Sequence, residues 1–272
     1  MTDIITIRDN AIKYKMHGLV DKAIHEYKKI LNNDPSNVDT VYNLGELYYM
    51  QGDMGESIWF YEKAVEMEPK YSLALYRLAI ACFRATKFSK AIEYFDRIIK
   101  DAPDLYMAHY WKGLCYYHRG NTKMAIKSFK SLHKVNTKTT LGYYQMSISY
   151  KAAGRFKEAV KCLVKIVEED QNVVSAQYHL GLAYLGLKKI NKAMKCFEKV
   201  IELNPEHKGV QDKMDTLLTD QEMLYGYGIS SQNEDNTREE ILTNFHVGQT
   251  YKGMGMIEEA FKHFKDQVKK KK

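Results

Sequence analysis

The chain is poor in proline. Four occur in 272 residues, at 35, 69, 103 and 205, and the gaps between them are 34, 34 and 102, the last being three times 34. Scarce proline on a fixed grid excludes a proline-rich linker or low-complexity chain and signals a repeat array. The unoccupied grid points are Thr137 and Gln171. Long apolar runs are absent too, so no membrane-spanning helix is expected. "MTDIITIRDN" has neither a basic n-region nor an apolar h-region, and no secretory signal is expected from it. The four cysteines, 82, 115, 162 and 196, form no CxxC pair, which argues against a zinc or redox motif. They read as buried small hydrophobes in a reducing, cytoplasmic setting. No P-loop, no GxGxxG after a strand, no HExxH and no GxSxG occurs, so no enzyme, no cofactor and no metal site is expected. The nine histidines are scattered and read as surface residues.

What is present is a 34-residue period. Counting units from Ile4, Val38, Ser72, Tyr106, Thr140 and Val174, the eighth position holds Ala11, Gly45, Ala79, Gly113, Ser147 and Gly181. The twentieth holds Ala23, Ser57, Ala91, Ala125, Ala159 and Ala193. Every one is small, which marks the crossing point of two antiparallel helices. Gly18, Gly52, Gly120 and Gly154 share the fifteenth position, where a helix end wants a left-handed residue. Position 11 is mostly tyrosine and position 24 mostly aromatic, at helical spacing from the small columns. Proline at position 32 closes the second helix, and the exit turns of units 4 and 5, which lack it, are expected to be less sharply set.

Small-8, Tyr-11, Ala-20, aromatic-24 and Pro-32 in a 34-residue helix–turn–helix resembles the tetratricopeptide repeat, most fully over "VDTVYNLGELYYMQGDMGESIWFYEKAVEMEPKY". The resemblance implies an all-α, right-handed α-solenoid. Six contiguous units are expected over 4–207 (4–37, 38–71, 72–105, 106–139, 140–173 and 174–207). An amphipathic capping helix over 208–224 and an acidic linker over 225–240 follow, then a seventh hairpin over 241–272 that ends in a lysine tail. That hairpin, with Phe245, Tyr251, Phe261 and Phe264, must dock in its own chain or on a second copy.

The resemblance also implies that first helices line a concave groove through positions 2, 5, 9, 12 and 13. Position 5 carries Tyr42, Tyr76, Tyr110, Tyr144 and Tyr178, and position 12 carries Tyr49, Phe83 and Tyr117. These eight are the candidate partner-binding residues, with tyrosines suited to gripping a peptide or helix. The Lys/Asn clamp by which co-chaperone members hold a C-terminal carboxylate is absent, since the corresponding slots hold Arg8/Ile12, Tyr42/Glu46 and Tyr76/Ile80.

Charge is segregated. Unit 2 has seven acids and two bases, whereas from Leu105 to Lys157 ten bases occur without a carboxylate. Lys123, Lys127, Lys130 and Lys134 stripe one second helix, and Lys157 and Lys161 extend the pattern into the next unit. A solvated face accounts for such a stripe, and an acidic protein, an anionic membrane surface or unit 2 of another copy would be drawn to it. Nucleic acid ranks last, because no reading motif accompanies the lysines. The leading expectation is a non-catalytic adaptor binding partner segments in its groove. The second is a self-assembling scaffold coating a membrane or organelle, in the manner of magnetosome-associated members. The third is an accessory subunit presenting a client to a separate enzyme.

Overall fold

A computed structural model describes residues 4–210 and Lys213. The expected capping helix beyond its first turn, the linker and the seventh hairpin lie outside the described residues. Among the described residues there are twelve long helices and no strand. They are α1 (Ile4–Met16), α2 (Val20–Asn33), α3 (Val38–Gln51), α4 (Met54–Met67), α5 (Ser72–Arg84) and α6 (Phe88–Asp101). There follow α7 (Tyr106–His118), α8 (Thr122–Val135), α9 (Leu141–Ala152), α10 (Phe156–Glu169), α11 (Val174–Gly186) and α12 (Ile190–Leu203). Every second helix starts at position 17 of its repeat, so the 34-residue period of the sequence is the period of the fold.

Two compact units divide between Ser149 and Tyr150. In the first, α1, α3, α5 and α7 each pack on the even helix that follows, and α2, α4 and α6 each on the next odd one. The first helices α3, α5 and α7 also touch one another directly.

The hairpins close around a small residue set against a ring. Tyr61, Phe95, Phe129 and Phe197 at position 24 are fully buried. A Cβ added to Gly113 would lie 2.4 Å from Phe129 Cε1, and one added to Gly181 would lie 2.4 Å from Phe197 Cε1. Position 20 is equally tight. Ser57, the one hydroxyl in that column, is buried and donates to the Gly45 carbonyl at 2.9 Å, which satisfies its polar atom without disturbing the crossing. Asn37, Asp53 and Asn121 cap their helices by accepting from Thr40, Glu56 and Met124 backbone N–H groups.

The exit turns correct one expectation in unit 4 and not in unit 5. The residue closing the second helix adopts φ/ψ of −134°/89° at Glu68 and −134°/79° at Ala102, both followed by proline. It adopts −127°/88° at Asn136, where Thr137 follows, and a more extended −148°/110° at Asp170, where Gln171 follows. In each case the closing N–H bonds back to the carbonyl four residues earlier. Proline is compatible with the unit 4 turn but does not create it, although α9 after that turn begins a residue late, at Leu141, and the unit 5 turn is the more open one.

The turn inside each hairpin holds a second difference. Gly18, Gly52, Gly120 and Gly154 are left-handed as expected, with φ between 69° and 92°. In the third and sixth units the same position is filled by Thr86 (φ 58°) and Lys188 (φ 59°). The backbone demand is therefore common to all six turns, and the two side chains bear a left-handed conformation that costs an L-residue about 1–2 kcal/mol. Thr86→Gly is expected to raise stability by about 0.5–1 kcal/mol in urea unfolding, once glycine's added freedom in the unfolded chain is offset. Gly52→Ala, where nothing lies within 4 Å of the added methyl, should lower it by about 1 kcal/mol through φ alone. A destabilising Thr86→Gly would show that the turn's neighbours, not its dihedral, govern this site.

Candidate functional site

The position-5 tyrosines make a repeated contact with the core ring of their own hairpin. Ring centroids are 5.7 Å apart for Tyr42 and Tyr61, 6.3 Å for Tyr76 and Phe95, 6.4 Å for Tyr110 and Phe129, and 6.2 Å for Tyr178 and Phe197. The aromatic column recurs because each ring braces the buried ring beneath it. Tyr76, Tyr110, Tyr144 and Tyr178 are half-buried and keep an outward edge. Tyr42 departs from the expected groove position: it is 7 % exposed and wedged between Tyr61 and Tyr71. Burial pushes its hydroxyl upward in pKa, against the pull of Arg77. Tyr42 belongs to the core.

At position 12, Tyr49, Phe83 and Tyr117 are half-buried. The Arg84 guanidinium sits 4.6 Å over the Tyr49 ring. Phe83 meets Phe88, Trp111 and His118 at 5.3–5.6 Å, and Phe88 stacks flat on His118. Trp111, which the eight-residue set omitted, joins this cluster to Tyr110, whose ring centroid is 5.4 Å away. Its indole N–H donates to the Tyr76 hydroxyl at 3.0 Å, so that hydroxyl is engaged across one repeat boundary and still offers one oxygen lone pair and a proton. Position 6 carries no aromatic in the units on either side (Arg77 and Gln145), so the period gave no sign of Trp111.

The face is apolar towards its first helix. A cleft of ≈ 640 Å³ opens beside α1 and α3, lined by Ile5, Arg8, Ile12, Met16, Asn43 and Met50 among others, and its four apolar members there are exposed. Its charges are largely spent internally. Glu46 of α3 accepts from Lys15 of α1 and lies 3.6 Å from Arg77 of α5.

The second-helix face of the first unit is different. Lys123, Lys127, Lys130 and Lys134 of α8 are all exposed, and on α10 of the second unit so are Lys157 and Lys161. Among the described residues none of these six enters a salt bridge, whereas Lys165 and Lys199 pair with Glu168 and Glu202. On α4, Trp59 stands 52 % exposed with the Lys63 ammonium 5.2 Å from its ring.

In the second unit, His179 is not a surface histidine. It is half-buried, and its Nδ1 lies 2.8 Å from the Lys151 ammonium. Burial lowers Lys151 to about 8. Burial first, then the charges of Lys151 and His207, lowers His179 to about 4. The His207 ring lies 4.8 Å from Tyr178. The four cysteines are buried and none is in a disulfide, and burial raises Cys82, Cys115 and Cys196 to about 11–12, which keeps these three as inert thiols. Among the described residues no three His, Cys, Asp or Glu side chains converge to hold a metal, and no helix is long and apolar enough to cross a membrane.

Three family models, each described as a tetratricopeptide repeat, match this chain: one over 14–72, 61–106 and 76–133, a second over 142–173 and a third over 174–207. No curated protein matches significantly. Solved structures share the fold. A tetratricopeptide repeat protein from Parabacteroides merdae is 19 % identical with TM-score 0.66, the match covering 84 % of this chain and 94 % of that one. YrrB, described as a repeat protein with an unusual peptide-binding site, is 18 % identical with TM-score 0.58, covering 70 % and 97 %. MamA from Desulfovibrio magneticus is 20 % identical with TM-score 0.58, covering 62 % and 96 %. At these identities the likeness concerns the fold.

Proposed function

The chain belongs to the tetratricopeptide repeat family, whose members serve generally as non-catalytic interaction modules, and we propose that it is an adaptor that binds a peptide or helical segment of a partner protein on its first-helix face. The observation that carries this is the half-buried aromatic surface of α5 and α7, where Tyr76, Phe83, Tyr110, Trp111 and Tyr117 hold one flank against the array and present the other. Rings held this way lose little side-chain entropy on binding, and tyrosine adds a hydrogen-bonding tip to a large apolar body. The exposed Leu73 and Met50 and the cleft beside α1 extend the apolar area. YrrB's peptide-binding site is a precedent for the fold carrying such a function. The test is site-specific photo-crosslinking in the full chain. A photoreactive residue at Tyr117 should capture the partner, and one at Lys127 should not. Capture from 127 alone would transfer the function to the other face.

A second contact is carried by the lysine stripe. Four exposed ammonium groups on α8, none in a salt bridge among the described residues, favour an acidic protein or an anionic membrane, which is also the route by which a coating scaffold would use this chain. Screening falls from ~8 Å at physiological ionic strength to ~3 Å at 1 M salt, so association through the stripe fades over that range while aromatic binding persists. Reversing Lys123, Lys127, Lys130 and Lys134 to Glu is expected to abolish the salt-sensitive part alone. Retention of vesicle, partner and self-association in that variant would reduce the stripe to a solvated face.

A further inference from the structure

Lysine at position 12 occurs on two first helices, α1 and α9, and the two are treated oppositely. Lys15 finds a carboxylate in the next repeat, where Glu46 at position 9 accepts from it. Lys151 finds Leu182 at that position and donates instead to His179 at position 6. An ammonium can only donate, so His179 Nδ1 is the acceptor and the neutral ring carries its proton on Nε2. Lys151 enters no salt bridge among the described residues, and the run of sequence around it, from Leu105 to Lys157, contains no Asp or Glu.

We propose that Lys151 and His179 form a subsite for a carboxylate carried by the segment that binds the first-helix face. A half-buried ammonium with three donors spends one on a neutral imidazole, which leaves its charge uncompensated in a poorly solvated place. The lowering of Lys151 to about 8 by burial alone expresses that cost. A carboxylate entering here removes the cost and gains a charge-assisted hydrogen bond. Glu46 is the internal template: it shows what a position-12 lysine takes when the adjoining repeat supplies it. Tyr178 beside His179, with ring centroids 5.4 Å apart, and Leu182 and Leu185 on the same helix suit an acidic residue flanked by apolar ones.

This rests on the first-helix face being the partner surface, but its test does not require the partner. The full chain is titrated with three small probes while the Lys151 and His179 side-chain resonances are followed by NMR. N-acetylglutamic acid α-amide presents a side-chain carboxylate, N-acetyltyrosine a chain-terminal one, and N-acetylglutamine amide is the neutral counterpart. Saturable shifts at both residues are expected from a carboxylate, at least about tenfold tighter than from the amide, and the more effective acid identifies the source. Lys151→Met should remove the response at His179, whereas Lys15→Met should leave it. The comparison of acid with amide needs no variant, so a folding failure in Lys151→Met does not void it. No saturable shift with either acid, or an equal shift with the amide, overturns the subsite. Unchanged partner binding in folded aromatic variants, with this response intact, would remove the adaptor reading and spare the subsite.

Discussion

Phe129→Ala is expected to lower the stability of the chain by about 3–5 kcal/mol, the range for truncating a buried phenylalanine. The ring is fully buried and fills the space left open by Gly113, close enough that a methyl there would overlap it at 2.4 Å. Its removal leaves a cavity between α7 and α8 that neither backbone can close, because the hairpin is tied at its turn and flanked by α6 on one side. It also withdraws the brace under Tyr110, 6.4 Å away. Because a repeat array is held by neighbour interfaces, the loss should spread to adjoining hairpins and broaden the denaturant transition. Phe129→Leu, which keeps most of the volume, should cost less than half as much. Helicity followed in urea checks both. A loss under about 1 kcal/mol for the alanine variant would mean that the hairpin collapses around the gap, contrary to the packing described.

Helix placement was legible in the sequence because a repeat writes the same constraint many times. The small columns at positions 8 and 20 and the grid of four prolines put each helix within a residue of where it lies. The burial of Cys82, Cys115, Cys162 and Cys196 followed from spacing and the lack of paired motifs. What escaped were features whose cause lies outside the repeat. Thr86 and Lys188 take a left-handed turn although nothing in their identity favours it, since the helices on either side impose the dihedral. Tyr42 shares its column with half-exposed tyrosines and is nevertheless buried, because Tyr71 closes over it. Trp111 and Tyr76 meet 35 residues apart, and Lys151 and His179 meet 28 apart. Such pairs arise from stacking one repeat on the next, and a reading that aligns repeats as equivalents passes over what makes each junction different. The candidate site was therefore half legible: its aromatic column was visible, and Trp111 and the Lys151–His179 contact were not.

The adaptor reading predicts that replacing Tyr76, Tyr110 and Tyr144 together with Ala weakens partner binding by several kcal/mol, since each tyrosine at an interface centre contributes about 1–3. All three belong to the first unit and keep an exposed edge. Two of them also brace core rings, so some stability is lost as well, and the variant must retain its helicity by circular dichroism at the temperature of the measurement. Tyr76→Phe separates the contributions: it deprives Trp111 of its acceptor at 3.0 Å but preserves the ring, and should cost about 1 kcal/mol of stability with a smaller effect on binding. The decisive measurement is the dissociation constant of the crosslinked partner, once identified and purified, for the wild-type chain and the folded triple variant. A loss of at least about a hundredfold is the predicted result, and an unchanged constant in a folded triple variant would contradict the claim that this face binds the partner.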